Sequence, residues 1–385
     1  MTRTRRSGAL TLGLLLTIAA PLAQAYTYKE LHNFAGSPTD GAHPFGSLIR
    51  DSAGNLYGTT AGGGAWGSGA VFTVAATGAE TVLYSFTGKA DGSGPVGGLV
   101  RDAEGNLYGA TAAGGASNYG AVFKLDTTGT EAVLYSFTGG ADGANPDAGL
   151  VGDAEGNLYG TTEGGGASGA GVVFKVGANG TEAVLYAFTG GVDGGRPEAG
   201  LLRDSRGNLR GTASSGGPSE AGVVFKLDPQ GTETVLYAFT GGADGGGPEA
   251  ALIRDQEGNL YGTTVSGGLG YGVVFKLDTS GTEAALYTFK GGTDGANPYA
   301  GLVRDSAGNL YGTTYGGGRH FGSNGFGVAF EVDTAGTETV LHTFAGKAAG
   351  AHPRAALIRD SKGHLYSATG FGGTSGNGVV FRLTP

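Results

Sequence analysis

The sequence predicts an all-β fold: a seven-bladed β-propeller of four-stranded blades, with the ring closed by the N-terminal strand completing the last blade. Three observations lead there. First, an eleven-residue phrase, RDSAGNLYGTT from Arg50 onward, recurs seven times, anchored on Asp51, Asp102, Asp153, Asp204, Asp255, Asp305 and Asp360 at steps of 51, 51, 51, 51, 50 and 55. A period of about 50 residues is the length of a propeller blade, and no segment has a helical apolar period. Second, each unit holds four short apolar runs bounded by turn residues. Third, the last unit ends after its third run, while the N-terminus offers a spare one.

The second unit illustrates the elements. Its runs are GLVRD (98–102), NLYGAT (106–111), AVFKLD (121–126) and EAVLYSFTG (131–139), all rich in β-branched and aromatic residues. Asp-x-x-Gly-Asn joins the first two runs; Asp bonds its own downstream backbone and Gly accepts the positive φ. In the fourth run Val133, Tyr135 and Phe137 alternate with Leu134, so both faces are apolar, as a blade packed between two neighbours requires. The missing fourth strand of the last unit is supplied by YKELHNFAG (28–36), where Leu31, His32 and Phe34 align with Leu83, Tyr84 and Phe86. Closure removes the free edges of an open array.

Residues 1–25 read as a secretory signal peptide outside the fold: Arg3, Arg5 and Arg6, then a short apolar run, then Ala-Gln-Ala ending at Ala25. The propeller then occupies 26–385, and the expected location is secreted or periplasmic. There is no cysteine, so packing alone must hold the chain together. Without the leader arginines the charge is 21 − 33 = −12, which argues against nucleic acid or an anionic membrane as partner. No other run is long enough to span a bilayer, so no membrane insertion is expected, and the protein is read as a monomer. Glycine, 82 of 385 residues, recurs in register with the apolar runs and marks turns.

The consensus DGxxPxAGL, then GNLYGTT, then GVVFKL, then GTE and LYSFTG resembles the GloVer repeat of exported bacterial proteins that use various surface anchors. The resemblance covers all seven units. It implies export and a propeller, and no settled activity. The chain ends on a strand at Pro385 with no hydrophobic tail, so a released or periplasmic form is expected. The layout also resembles NHL-type propellers.

Residues written in nearly every unit are read as blade structure. The Asp of each Arg-Asp pair closes a turn, and the Arg pairs blades. The Asp of DGxxP (Asp40, Asp91, Asp142, Asp193, Asp244, Asp294) stands alone in its loop, too few oxygens for calcium. The glycine-rich loops lack the helix and the Gly-Lys-Ser/Thr of a phosphate site. Candidate site residues are those that break the pattern, and they gather in the 2–3 and 4–1 loops, which leave the blades on one face. In neighbouring units six, seven and one these are His43, Trp66, Tyr299, Arg319, His320, Phe321, His352 and Arg354. Four readings stay open. They form a binding rim for an extracellular or periplasmic glycan or protein, with aromatic rings beside polar groups. They act in catalysis, as a lyase or lactonase would need. They bind zinc through three histidines, against which the arginines and the lack of a spacing motif count. Or they are scattered loop residues without a common target. The preferred reading is non-catalytic binding, with no metal and no cofactor.

Overall fold

A computed structural model describes residues 26–320 and 324–385; the leader reading of 1–25 falls outside them. Seven four-stranded antiparallel sheets are arranged in sequence order. In the second blade the strands are Val100–Arg101, Leu107–Thr111, Ala121–Leu125 and Glu131–Ser136. In the seventh blade the fourth strand is Thr27–Asn33, paired antiparallel to Val379–Thr384 from Thr27 opposite Thr384 to Asn33 opposite Val379. The ring is therefore closed by strands from both ends of the chain, as the sequence predicts.

Two details depart from the sequence reading. The innermost strands are only two residues long, because the residues before them turn away to line the channel at the propeller axis. The fourth strands carry a bulge: Val122 faces Tyr135, but Phe123 faces Val133, so Leu134 is an extra residue. The bulge breaks the simple alternation. Leu134 and Tyr135 both pack on the next interface, and Val133 is left 37% exposed.

The core lies between blades. Each interface packs the Phe that follows one blade's fourth strand edge-on against the third-strand Phe of the next: Phe34–Phe72, Phe86–Phe123, Phe137–Phe174, Phe188–Phe225, Phe239–Phe275, Phe289–Phe330 and Phe344–Phe381. Ring centroids are 5.0 to 5.2 Å apart, and all these rings are buried. Such pairs add roughly 0.5–1.5 kcal/mol each beyond area burial. In six blades the glycine of GNLYGTT leaves room for this ring, and the seventh holds the small Ser367 there. A Cβ on Gly262 would lie 2.7 Å from Cζ of Phe275.

The repeated polar residues are structural. Asp51 accepts from the Asn55 N–H (2.8 Å), Asn55 Nδ2 (2.9 Å) and Tyr57 Oη (3.0 Å), and these bonds hold its carboxyl below the ordinary range against burial. The preceding Arg crosses to the neighbouring blade: Arg101 lies over Tyr57, Arg203 over Tyr159, Arg304 over Tyr261 and Arg359 over Tyr311. Where the fourth unit writes Arg210 for that Tyr, Arg210 pairs with Asp204 at 2.9 Å instead.

Candidate functional site at the channel mouth

The 4–1 and 2–3 loops pair in every blade, through single bridges such as Ser93–Ala113 and Ala144–Gly164 and, in the first, through Gly41–Ala42 with Gly62–Gly63, so they share one face. In each 4–1 loop the residue before the proline takes a left-handed backbone: His43, Asn145, Arg196, Asn297 and His352 at φ 53–61°, and Gly94 and Gly247 at φ 61° and 63°. Gly and Asn tolerate this conformation best. Here the side chain reaches the previous blade. Asn145 Nδ2 donates to the Ala112 carbonyl (2.9 Å) and Asn297 Nδ2 to Val265 (2.8 Å). His43 Nδ1 donates in the same way to Gly370 (2.9 Å), and His352 Nδ1 to Tyr315 (2.9 Å). Two of the three candidate histidines are thus inter-blade clips with only Nε2 left for a ligand.

After each proline comes one residue that points to the axis: Phe45, Val96, Asp147, Glu198, Glu249, Tyr299 and Arg354, one from each blade. They ring the mouth of a channel of about 310 Å³ whose walls below are mostly Gly and Ala. One half of the ring is acidic. Asp147 is pushed up to about 7, first by burial and then by the charges of Glu163 and Glu198, and its Oδ1 is buried with no hydrogen-bond partner among the described residues. Glu249 is likewise raised to about 7 by burial and the Glu198 charge. Burial raises Glu198 too, opposed by Arg196, whose Nη2 lies 2.8 Å from Glu198 and 2.5 Å from Glu163.

The other half is aromatic. Arg354 sits over the Tyr299 ring at 4.7 Å and the Phe45 ring at 5.6 Å, with Glu249 4.0 Å away. Tyr299 meets Tyr315 edge-on (5.4 Å), and Tyr315 stacks on His352 (4.4 Å). His352 touches Phe326 and Phe371, and Phe371 lies against His43 (4.9 Å) and Phe45 (5.8 Å). His320 extends the row through Phe326 (5.6 Å). Phe45 fits because Gly370 stands beneath it; a Cβ there would lie 2.4 Å from the ring.

The structure therefore brings together His43, Tyr299, His320, His352 and Arg354, in a row with aromatic rings between the histidines. Trp66 stands apart on its loop, 68% exposed, and Arg319 is exposed with no ion pair among the described residues. Phe321 lies outside the described residues. Sequence reasoning missed Asp147, Glu198, Glu249 and Phe45. The signal was available: the residues on both sides of each invariant proline change from unit to unit, and the one after it was passed over. Among the described residues, only His32, Asp40 and Glu80 bring three His or carboxylate ligand atoms within 4.8 Å of one another; the three acids of the mouth do not converge so closely.

Solved structures share the architecture at low identity. A chain of the mitotic checkpoint complex matches 97% of this chain over 98% of its own, at 13% identity and TM-score 0.59. The extracellular domain of a proposed one-component system from Bacteroides thetaiotaomicron matches at 9% identity and TM-score 0.54, covering 93% of this chain and 40% of that one. A proposed 6-phosphogluconolactonase from Bacteroides uniformis matches at 18% identity and TM-score 0.51, covering 90% of both. These likenesses show the fold alone. No curated protein matches the sequence. The Gloeobacter/Verrucomicrobia repeat matches three times, over residues 2–169, 89–270 and 201–385. Those matches span the whole propeller, and the chain belongs to that repeat family.

Proposed function

We propose that this is a non-catalytic binding propeller that engages a glycan outside the cytoplasm, over the mouth of its channel. The observation that carries this reading is the division of the mouth. A half-ring of carboxyl groups from blades three to five faces an aromatic ledge from blades six, seven and one. A sugar ring has apolar C–H faces that pack on aromatic rings and hydroxyls that donate to carboxylates, so one ligand can use both halves. The channel mouth is concave and combines apolar walls with a few convergent polar groups, as small-ligand sites do. The leader read at residues 1–25 is the support for a location outside the cytoplasm.

A thermal-shift and calorimetric screen of oligosaccharides, sugar acids and lactones tests the reading. The expected outcome is a saturable glycan ligand whose affinity falls at least tenfold in both Tyr299→Ala and Glu198→Gln. No glycan binding, or binding indifferent to both changes, overturns it. One observation favours a second reading: Asp147, with its carboxyl near 7, has the proton affinity of a general acid or base at neutral pH. A lactonase or lyase working there would turn over a lactone or sugar acid, and Asp147→Asn would abolish that turnover while the fold persisted.

A further inference from the structure

A second cluster lies away from the mouth, where the ring is closed. Five of the seven junctions follow one plan; at a sixth, between blades six and seven, His342, Ala349 and Tyr28 replace its Tyr, Asp and Glu. In the next junction along the chain, Tyr84 Oη donates to Asp91 Oδ2 (3.0 Å), Thr87 Oγ1 donates to Asp91 Oδ1 (2.5 Å), and Glu131 of the following blade faces the same Asp. Tyr135, Asp142 and Glu182 repeat the plan, as do Tyr237, Asp244 and Glu283. The closing junction changes two of these partners at once. His32 stands where Tyr84 stands, and Ala35 where Thr87 stands. Asp40 Oδ1 therefore accepts only the Gly41 N–H (2.6 Å), while Oδ2 faces His32 Nε2 at 3.0 Å and takes the Ala35 N–H. Glu80 Oε1, like that of the sister glutamates, is buried with no hydrogen-bond partner among the described residues.

We propose that His32, Asp40 and Glu80 form a binding site for a divalent transition metal of the zinc class. One ligand atom from each lies within 4.8 Å of the other two. Ligands on a tetrahedral zinc at about 2.0–2.1 Å stand about 3.3 Å apart. The His32–Asp40 separation already fits that edge, and contraction by up to about 1.5 Å brings Glu80 onto the same ion. One imidazole nitrogen and two carboxylates suit zinc, leave a fourth position for water, and lack the six to eight oxygens calcium requires. Binding through Nε2 requires the Nδ1–H tautomer of His32 and an ionised Glu80, so uptake weakens toward acid pH. The location gives the ion a role. His32 belongs to the N-terminal strand of the seventh blade and Glu80 to the fourth strand of the first, so the metal staples the ring-closing strand to the first blade.

Titration of the metal-free protein with Co²⁺ and Zn²⁺ tests this, with His32→Tyr and Glu80→Gln alongside. His32→Tyr rebuilds the Tyr–Asp pair of the sister junctions and so keeps the fold while removing the imidazole. The expected result is one equivalent of Co²⁺ with a tetrahedral visible spectrum, displaced by Zn²⁺, a zinc-dependent rise in Tm, and loss of all three in His32→Tyr with at least tenfold weaker binding in Glu80→Gln. No uptake by the unaltered protein, or uptake that persists in folded His32→Tyr, overturns the proposal.

Discussion

Folding should be more stable at pH 5 than at pH 8, and the blade junctions give the reason. Glu131, Glu182, Glu233, Glu283 and Glu338 are each raised from 4.5 to about 7, first by burial and then by the charge of a facing Asp. In each, Oε1 is buried without a partner. A carboxyl raised in the folded state binds its proton more tightly there, so its contribution is complete below 4.5 and is lost as pH climbs to about 7. The uncorrected arithmetic is about 3 kcal/mol per group. Each glutamate keeps some contact with water, which reduces this to about 1 kcal/mol. Five junctions then give roughly 5 kcal/mol if the sites act independently. His342 opposes them: burial lowers it from 6.5 to about 4, so its contribution is present above 6.5 and is lost toward acid. The facing Asp91, Asp142, Asp193 and Asp244 are lowered by their hydrogen bonds and set the acid limit below about 4. At roughly 2.1 cal/mol/K per residue, a net 4–5 kcal/mol moves the Tm of a chain this size by about 5–7 °C. Calorimetric melts from pH 4.5 to 8.5 measure it. Glu182→Gln, which mimics the protonated form, should gain about 1 kcal/mol over the parent at pH 8 and nothing at pH 5. A Tm that is flat or rising from pH 5 to 8, or equal effects of Glu182→Gln at both pH values, refutes the account.

Three further outcomes follow from the packing. His342→Phe removes a buried Nε2 that has no hydrogen-bond partner and keeps a ring against Tyr28; it should stabilise by about 1 kcal/mol at pH 5 and less at pH 8, read from paired melts. Deleting residues 26–34 removes the closing strand and the fully buried Phe34; the loss of that side chain alone costs about 3–5 kcal/mol, so Tm should fall by more than about 5 °C with aggregation from the exposed edge. Gly262→Ala forces a Cβ to 2.7 Å from the Phe275 ring and should cost about 1–3 kcal/mol in a denaturant melt.

Repetition made the blade legible and, for the same reason, concealed the mouth. A fold built seven times averages out local noise: the strands, the Asp turn, the Arg that pairs one blade with its neighbour and the closing N-terminal strand all follow from aligning the units. The bulge at Leu134 was not legible, because an extra residue in one strand leaves the apolar pattern intact while changing which side each residue faces. The site followed a similar logic. Searching by residue type favoured histidines and exposed aromatics, and so picked out His43 and His352, whose left-handed backbone and Nδ1 bonds match those of Asn297 and Asn145 in other blades. Searching by position would have gone further. In a symmetric ring, equivalent residues occupy equivalent radii, so a column that varies from unit to unit and lies near the axis is a candidate for the mouth. The residue after each proline is such a column, and it yields Tyr299 and Arg354 together with Asp147, Glu198 and Glu249. The closing junction follows the same rule. His32 and Ala35 replace Tyr and Thr where the sister junctions need hydrogen-bond donors, and that double departure is what puts an imidazole beside Asp40 and leaves its carboxylate fewer donors, opposite a Glu80 whose Oε1 is unpartnered as in the sister junctions.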